Sequence, residues 1–206
     1  MRARPKTKFI VGIDEVGRGP LAGPVLVGAV IATPAMIRKF RAIKESKQLS
    51  PRAREEWYAR ITAASGPSLK FAVSFVGPAY IDERGINAAI RLALTRSLKK
   101  LGGVPEECMV LLDGGLYAPK AYTRQETIVR GDASETIIAM ASVVAKVERD
   151  RYMIRLHEEI PAYAFAAHKG YGTALHIRLI KKHGLTPEHR RTFLRRIIHA
   201  PSIKIS

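Results

Sequence analysis

The chain has one cysteine, Cys108, in 206 residues. That excludes an internal disulfide framework and a cysteine-built zinc site, and Cys108 reads as a core residue near the start of a strand. No apolar stretch reaches the ~18 residues a membrane span needs. Behind the basic start "MRARPKTK" the apolar run is broken by Asp14, Glu15 and Arg18, which a secretory signal would not tolerate. The expectation is a cytoplasmic protein with no membrane association. Histidine is absent from the first 156 residues, and none of the later six is read as a metal ligand. Acids are scarce too: 18 Asp and Glu stand against 35 Lys and Arg, a net charge of +17. Such an imbalance points to a polyanionic partner, most often nucleic acid.

What is present is enough for a core. The chain is 47% hydrophobic, long enough to bury a proper interior and to form one domain over residues 1–206. The charge is uneven. Arg2, Arg4, Lys6 and Lys8 open the chain without an acid. Residues 174–206 carry Arg178, Lys181, Lys182, Arg190, Arg191, Arg195, Arg196 and Lys204 against the single acid Glu188. That segment reads as a basic, helical C-terminal extension facing the substrate.

Periodicity gives the elements. Residues 8–15 and 24–32 read as an antiparallel pair of strands around a Gly-Arg-Gly-Pro turn. A short helix is expected near 35–43 and another to about residue 64, with Ser50 as N-cap and Pro51 in its first turn. "LKFAVSFVG" alternates as a third strand. "GINAAIRLALTRSLKKLGG" is an amphipathic helix with a basic last turn and a glycine stop. "CMVLLDGG" and "TIVRG" read as two further strands. A long helix is expected over about 133–158, with apolar residues at helical spacing. One or two basic helices follow between 174 and 198. The fold class expected is α/β, a mixed five-stranded sheet flanked by helices.

Three apolar runs end on acids: "VGIDEVG" on Asp14 and Glu15, "VLLDGG" on Asp113, and "IVRGDASE" on Asp132. Open α/β sheets build their sites where strand ends meet. Acids gathered there repel one another unless cations lie between them, and all-oxygen ligands suit Mg²⁺ or Mn²⁺. With a basic surface around them, two-metal phosphodiester hydrolysis is the chemistry suggested. Each acid also has a plainer role. Asp132 and Glu135 have capping-box spacing before the long helix, and Asp-Gly-Gly is an ordinary turn. Asp14 and Glu15 are adjacent, so on a strand they point to opposite faces; one site serves both only where the strand twists or ends.

The blocks "GIDEVGRGPLAGPVLVGAVI", "SKQLS", "GIN", "LLDGG", "VRGDASETIIAMASVVAKVERDRYM", "HKGYGT" and "HGLTPEHRRTF" occur in that order. In this the chain resembles bacterial ribonuclease HII, the type 2 ribonuclease H. The resemblance implies a ribonuclease H-like fold and Mg²⁺ or Mn²⁺ as cofactor. It also implies endonucleolytic cleavage of RNA in RNA–DNA hybrids and incision 5′ to single ribonucleotides in duplex DNA, leaving 5′-phosphate and 3′-hydroxyl ends. By position the catalytic, metal-binding acids fall on Asp14, Glu15, Asp113 and Asp132. The Gly-Arg-Gly motif falls on Gly17, Arg18 and Gly19, and its sugar-contacting tyrosine on Tyr171. Lys47, Lys146, Arg149 and Lys169 are candidate substrate contacts. Arg18 has an ion pair with an acid as its rival role, and Lys146 a salt bridge with Asp150. The chain departs from the family pattern at Glu45, where aspartate is usual, and at Leu185, where proline is usual.

In physical terms, backbone groups of the glycine turn can bond a 2′-hydroxyl, the group that separates RNA from DNA. The Tyr171 ring can pack on the next sugar, where deoxyribose fits. Two rival classes remain open at the level of sequence. One is a junction resolvase or integrase on a similar sheet. The other is a non-catalytic nucleic-acid-binding protein, for which acids at three strand ends would have no use. The expected partners are hybrid and ribonucleotide-containing duplexes, with a monomeric enzyme. A sliding-clamp contact is conceivable, but no clamp-binding peptide is visible in the tail "HAPSIKIS".

Overall fold

The computed structural model describes residues 7–198. Strands β1 (Phe9–Val16), β2 (Val25–Ala32), β3 (Leu69–Val76), β4 (Cys108–Asp113) and β5 (Gln125–Ile128) form one mixed sheet in the order β3-β2-β1-β4-β5. Helices α1 (Pro34–Arg38) and α2 (Pro51–Ala63) follow β2, and α3 (Pro78–Arg84) and α4 (Ile86–Leu101) follow β3. After β5 come α5 (Gly131–Ser134), α6 (Thr136–Glu159), α7 (Phe165–His168), α8 (Ala174–His183) and α9 (Arg191–Ile198).

β1 sits at the centre, antiparallel to β2 and parallel to β4. β2 is buried along its whole length, which explains its continuous apolar run. Val11 and Ile13 of β1 pack on the face covered by α4, together with Ile90, Leu94 and Leu98. The other face is covered by α6 through Ile137, Met140, Ala141 and Val144; burying one such aliphatic side chain contributes about 1.5–3 kcal/mol. The contact is close because position 12 is glycine. A Cβ there would lie 2.2 Å from the Ile137 carbonyl oxygen, so any side chain would push α6 off the sheet. A third cluster joins Leu21, Met153, Tyr163, Phe165, Ile180 and Leu194. It fastens α8 and α9 to the end of α6 and to the loop after β1. Cys108 is free and buried, as expected.

The sheet places the site. β1 and β4 run parallel with Ile13 opposite Leu112, so their next residues, Asp14 and Asp113, leave the same edge side by side.

The observed elements differ from the sequence reading in several places, and α1 ends at Arg38, short of the expected residue 43. The fifth strand is Gln125–Ile128, not residues 127–131, because Arg130 turns the chain with φ 55°. The capping box at Asp132 and Glu135 does not form. Asp132 lies inside the single turn α5, and α6 starts afresh at Thr136 with no side-chain cap from Glu135. Helix α3, a short piece ahead of Gly85, has no counterpart in the sequence reading. The expected loop past Pro161 holds a turn of 3₁₀-helix, Pro161–Tyr163, and then α7. The readings of the basic start 1–6 and the tail 199–206 lie outside the described residues.

Candidate active site

Asp14 and Glu15 occupy the last turn of β1 and, being adjacent, face opposite sides of the sheet. Asp14 points toward α6, where Ser142 hydrogen-bonds its carboxyl. Glu15 points toward α4, where it pairs with Arg18 at 3.4 Å, and Arg18 in turn donates to Asn87 at 2.7 Å. Both acids nevertheless line one pocket of about 250 Å³, together with Asp113, Gly17, Arg18, Gly19, Lys47 and Tyr171. The strand ends at Val16, so the pocket wraps around the end of the sheet and reaches both faces. Asp113 accepts the Gly131 N–H at 2.7 Å, which hangs the α5 turn from β4. Asp132 in that turn is buried, is not among the residues that line the pocket, and meets Lys47 at 3.8 Å.

The acids act on one another. Burial, with the charges of Glu15, Asp113 and Asp132, pushes the Asp14 carboxyl up to about 8. Burial also raises Glu15, opposed by Arg18, and raises Asp132, reinforced by Asp113 and opposed by Lys47. Asp14, Glu15 and Asp132 are held up in this way, and positive charge beyond that of Arg18 and Lys47 would favour their ionised forms. Among the described residues no three His, Cys, Asp or Glu side chains converge on a single ion. The donor set therefore fits cations that take one or two carboxylates each and fill the rest of their shell with water and phosphate, as Mg²⁺ does.

Residues 17–24 form the wall beside the acids, and two buried arginines hold it from behind. Arg190, 0% exposed, donates to the carbonyls of Gly17, Arg18 and Gly23 at 2.7–3.1 Å. Arg149, also 0% exposed, donates to Pro24, Ala22 and Lys169. With these carbonyls turned inward, the Gly17, Arg18 and Gly19 amides donate to no backbone acceptor among the described residues. Position 17 needs glycine for an internal reason. Its φ is +88°, and a Cβ would lie 2.4 Å from Arg149 Nε. Gly19, by contrast, faces open space.

Tyr171 stands opposite, its ring 44% exposed. Its backbone is fixed by a relay of neutral histidines. The Tyr171 carbonyl lies 2.9 Å from His176 Nδ1, so that nitrogen carries the proton and His176 Nε2 is the acceptor. His189 Nδ1 accepts the Thr186 N–H at 3.0 Å, so its Nε2 carries the proton and donates to His176 Nε2 at 3.2 Å. Burial pushes both rings down to about 4, each helped by a neighbouring histidine. His168 stacks on His176 with centroids 4.2 Å apart and accepts the Gly170 N–H.

The basic candidates separate. Lys47, 83% exposed, and Lys146 both line the pocket. Lys146 also pairs with Asp150 at 2.7 Å, the rival role considered for it. Arg18 makes the ion pair that was its alternative. One assignment is corrected. Arg149 is sealed inside the protein and bonded to three carbonyls, so it cannot touch substrate; it supports the loop. Lys169 sits outside the pocket lining and donates its ammonium to the Ala166 carbonyl.

The family model for ribonuclease HII matches residues 11–198. The chain belongs to the ribonuclease HII family. It is 43% identical over 186 residues to ribonuclease HII 1 of Methylibium petroleiphilum, covering 90% of each chain. It is 45% identical over 186 residues to ribonuclease HII of Dehalococcoides mccartyi, covering 90% of this chain and 85% of that one. Among solved structures, ribonuclease HII of Archaeoglobus fulgidus in complex with PCNA superposes with a TM-score of 0.71 at 25% identity, over 88% of this chain and 93% of that one. Bst-RNase HIII in complex with Mn²⁺ shares the fold, with a TM-score of 0.64 at 19% identity over 91% of this chain and 65% of that one. The chain is thus a nuclease of the ribonuclease H type, acting on RNA–DNA hybrids. Among the described residues no helix is long and apolar enough to cross a membrane.

Sequence reasoning missed Ser142, Asn87, Arg190 and the His176–His189 pair. Ser142, Asn87, His189 and Arg190 stand inside the blocks "VRGDASETIIAMASVVAKVERDRYM", "GIN" and "HGLTPEHRRTF", whereas His176 lies three residues beyond "HKGYGT". Nothing in the spacing tells that Arg190 turns inward.

Proposed function

We propose that this ribonuclease HII cleaves the RNA strand of hybrids endonucleolytically and also incises duplex DNA on the 5′ side of a lone ribonucleotide. We take Asp14, Glu15, Asp113 and Asp132 as the residues that hold divalent cations, Mg²⁺ or Mn²⁺. The observation that carries the reading is the convergence of Asp14, Glu15 and Asp113 on one pocket at the ends of β1 and β4. When bound, such cations lower the pKa of an attacking water and stabilise the leaving oxygen.

The chain's own residues supply selection. The free amides of Gly17–Gly19 suit a 2′-hydroxyl, which accepts as well as donates. The open space at Gly19 lets a sugar approach. The Tyr171 ring then favours a deoxyribose one step further on, since an added hydroxyl would crowd it. Lys47 and Lys146 offer charge to the phosphates. Water attack at phosphorus with loss of the 3′-oxygen leaves 5′-phosphate and 3′-hydroxyl ends.

The test is cleavage, with Mg²⁺, of a DNA duplex carrying one ribonucleotide, compared with an all-RNA hybrid strand. The enzyme is expected to cut both. Tyr171→Ala should lose more activity on the single-ribonucleotide duplex, and Tyr171→Phe should keep most of the preference. Cleavage of the hybrid alone would reduce the protein to a hybrid-only ribonuclease H.

A further inference from the structure

A second groove, of about 570 Å³, adjoins the candidate active site and shares Arg18 with it. Its walls are Asn87, Ile90 and Arg91 at the start of α4, and Leu116 and Tyr117 in the loop after Asp113. Among the described residues the exposed large hydrophobics include two aromatics, Tyr171 and Tyr117. One lines the catalytic pocket and the other this groove. Tyr117 is 71% exposed. Arg91 is exposed and makes no ion pair among the described residues. The N-terminus of α4 opens here without a side-chain cap, which favours an anion. Arg18, held between Glu15 and Asn87, forms the saddle between the two depressions.

An exposed ring beside an exposed guanidinium that makes no ion pair among the described residues suits a nucleic-acid backbone, the ring packing on a sugar and the guanidinium meeting a phosphate. On a protein of net charge +17 the natural occupant is the substrate strand itself. We propose that the groove is a second nucleotide subsite. The strand leaving the catalytic pocket crosses Arg18, packs a sugar on the Tyr117 ring and sets a phosphate against Arg91. This rests on the function proposed above and adds to it the direction in which the substrate extends.

The experiment measures KM for Mg²⁺-dependent cleavage of duplexes with one ribonucleotide, first with long flanks, then shortened on one side or the other. Tyr117→Ala should raise KM on the long duplex roughly fivefold, the scale of losing one ring's packing on a sugar. Tyr117→Phe should restore it. Arg91→Gln should raise KM about threefold at low salt and less as salt increases. Arg96→Gln, on the same helix outside the groove, is the control. With the flank shortened on the groove side, the variant-to-wild-type KM ratio should fall to about one. With the other flank shortened it should persist. An unchanged KM for Tyr117→Ala on the long duplex overturns the subsite, as does a ratio indifferent to which flank is cut. If the wild-type enzyme leaves the single-ribonucleotide duplex intact, the proposed substrate fails instead, and the same comparison on RNA–DNA hybrids of graded length decides the groove.

Discussion

At Asp14 the requirements of folding and of catalysis oppose each other. The carboxyl is buried among three other acids, and without cations it holds its proton up to about pH 8. A folded-state pKa above the unfolded one means that stability is complete below the unfolded value of 3.8 and is lost as pH rises through about 8. Asp14→Asn removes that loss. The variant is expected to abolish cleavage. Without divalent cations it should be at least as stable as the wild type, by a margin that widens from pH 4 to pH 8. Added Mg²⁺ should stabilise the wild type more than the variant. Thermal melts in EDTA and in Mg²⁺ across that range, with a cleavage assay, check it; near-normal turnover would remove Asp14 from the site. The gathering of Asp14, Glu15 and Asp113 at one edge was legible because neighbouring apolar runs end on them. Arg149 was misread because a sequence shows a charge and not its burial. A guanidinium bonded to three carbonyls and one turned to a phosphate look alike in one dimension.

At the scale of elements, the strands and main helices followed from period and punctuation. Capping at Asp132 did not, since the backbone is extended at Glu135, so that Asp132 stays within α5 and α6 begins anew at Thr136. The coupling of the C-terminal segment to the site was also hidden. Thr186, His189 and Arg190 together reach the Tyr171 carbonyl and the Gly17–Gly19 wall. The relay requires neutral rings. His176 and His189 titrate near 4 in the fold and near 6.5 when unfolded. The unfolded chain therefore takes up protons first as pH falls. Stability present above about 6.5 is lost progressively down to about 4, each ring contributing a slope of up to about 1.4 kcal/mol per pH unit. Asp14 acts in the opposite sense, so the slope should be clearest in Asp14→Asn. Denaturant unfolding at several pH values should show it, and His176→Gln/His189→Gln should flatten it. A slope that survives the double substitution would assign the acid sensitivity elsewhere.

For the whole molecule, the excess of positive charge is the feature most legible in the sequence and the least evenly used. Arg149 and Arg190 serve the interior and contribute nothing to phosphate binding by contact. Arg178, Lys181, Lys182, Arg191 and Arg195 are exposed on α8 and α9, and α8 adjoins the Tyr171 loop through Thr173 and His176. Duplex binding should weaken steeply with salt, with log K falling about 0.9 per log[salt] for each phosphate neutralised on B-form DNA. Deleting residues 186–206 is a poor test, because it also removes the histidine and arginine that shape the site. Substituting Arg178, Lys181 and Lys182 together by Gln leaves those contacts in place. Binding measured between about 50 and 200 mM salt should then give a slope shallower by roughly one to three. Cleavage at saturating substrate and low salt should change little. An unchanged slope would mean that α8 faces away from the duplex, leaving Lys47, Lys146 and the start of α4 to carry the phosphates.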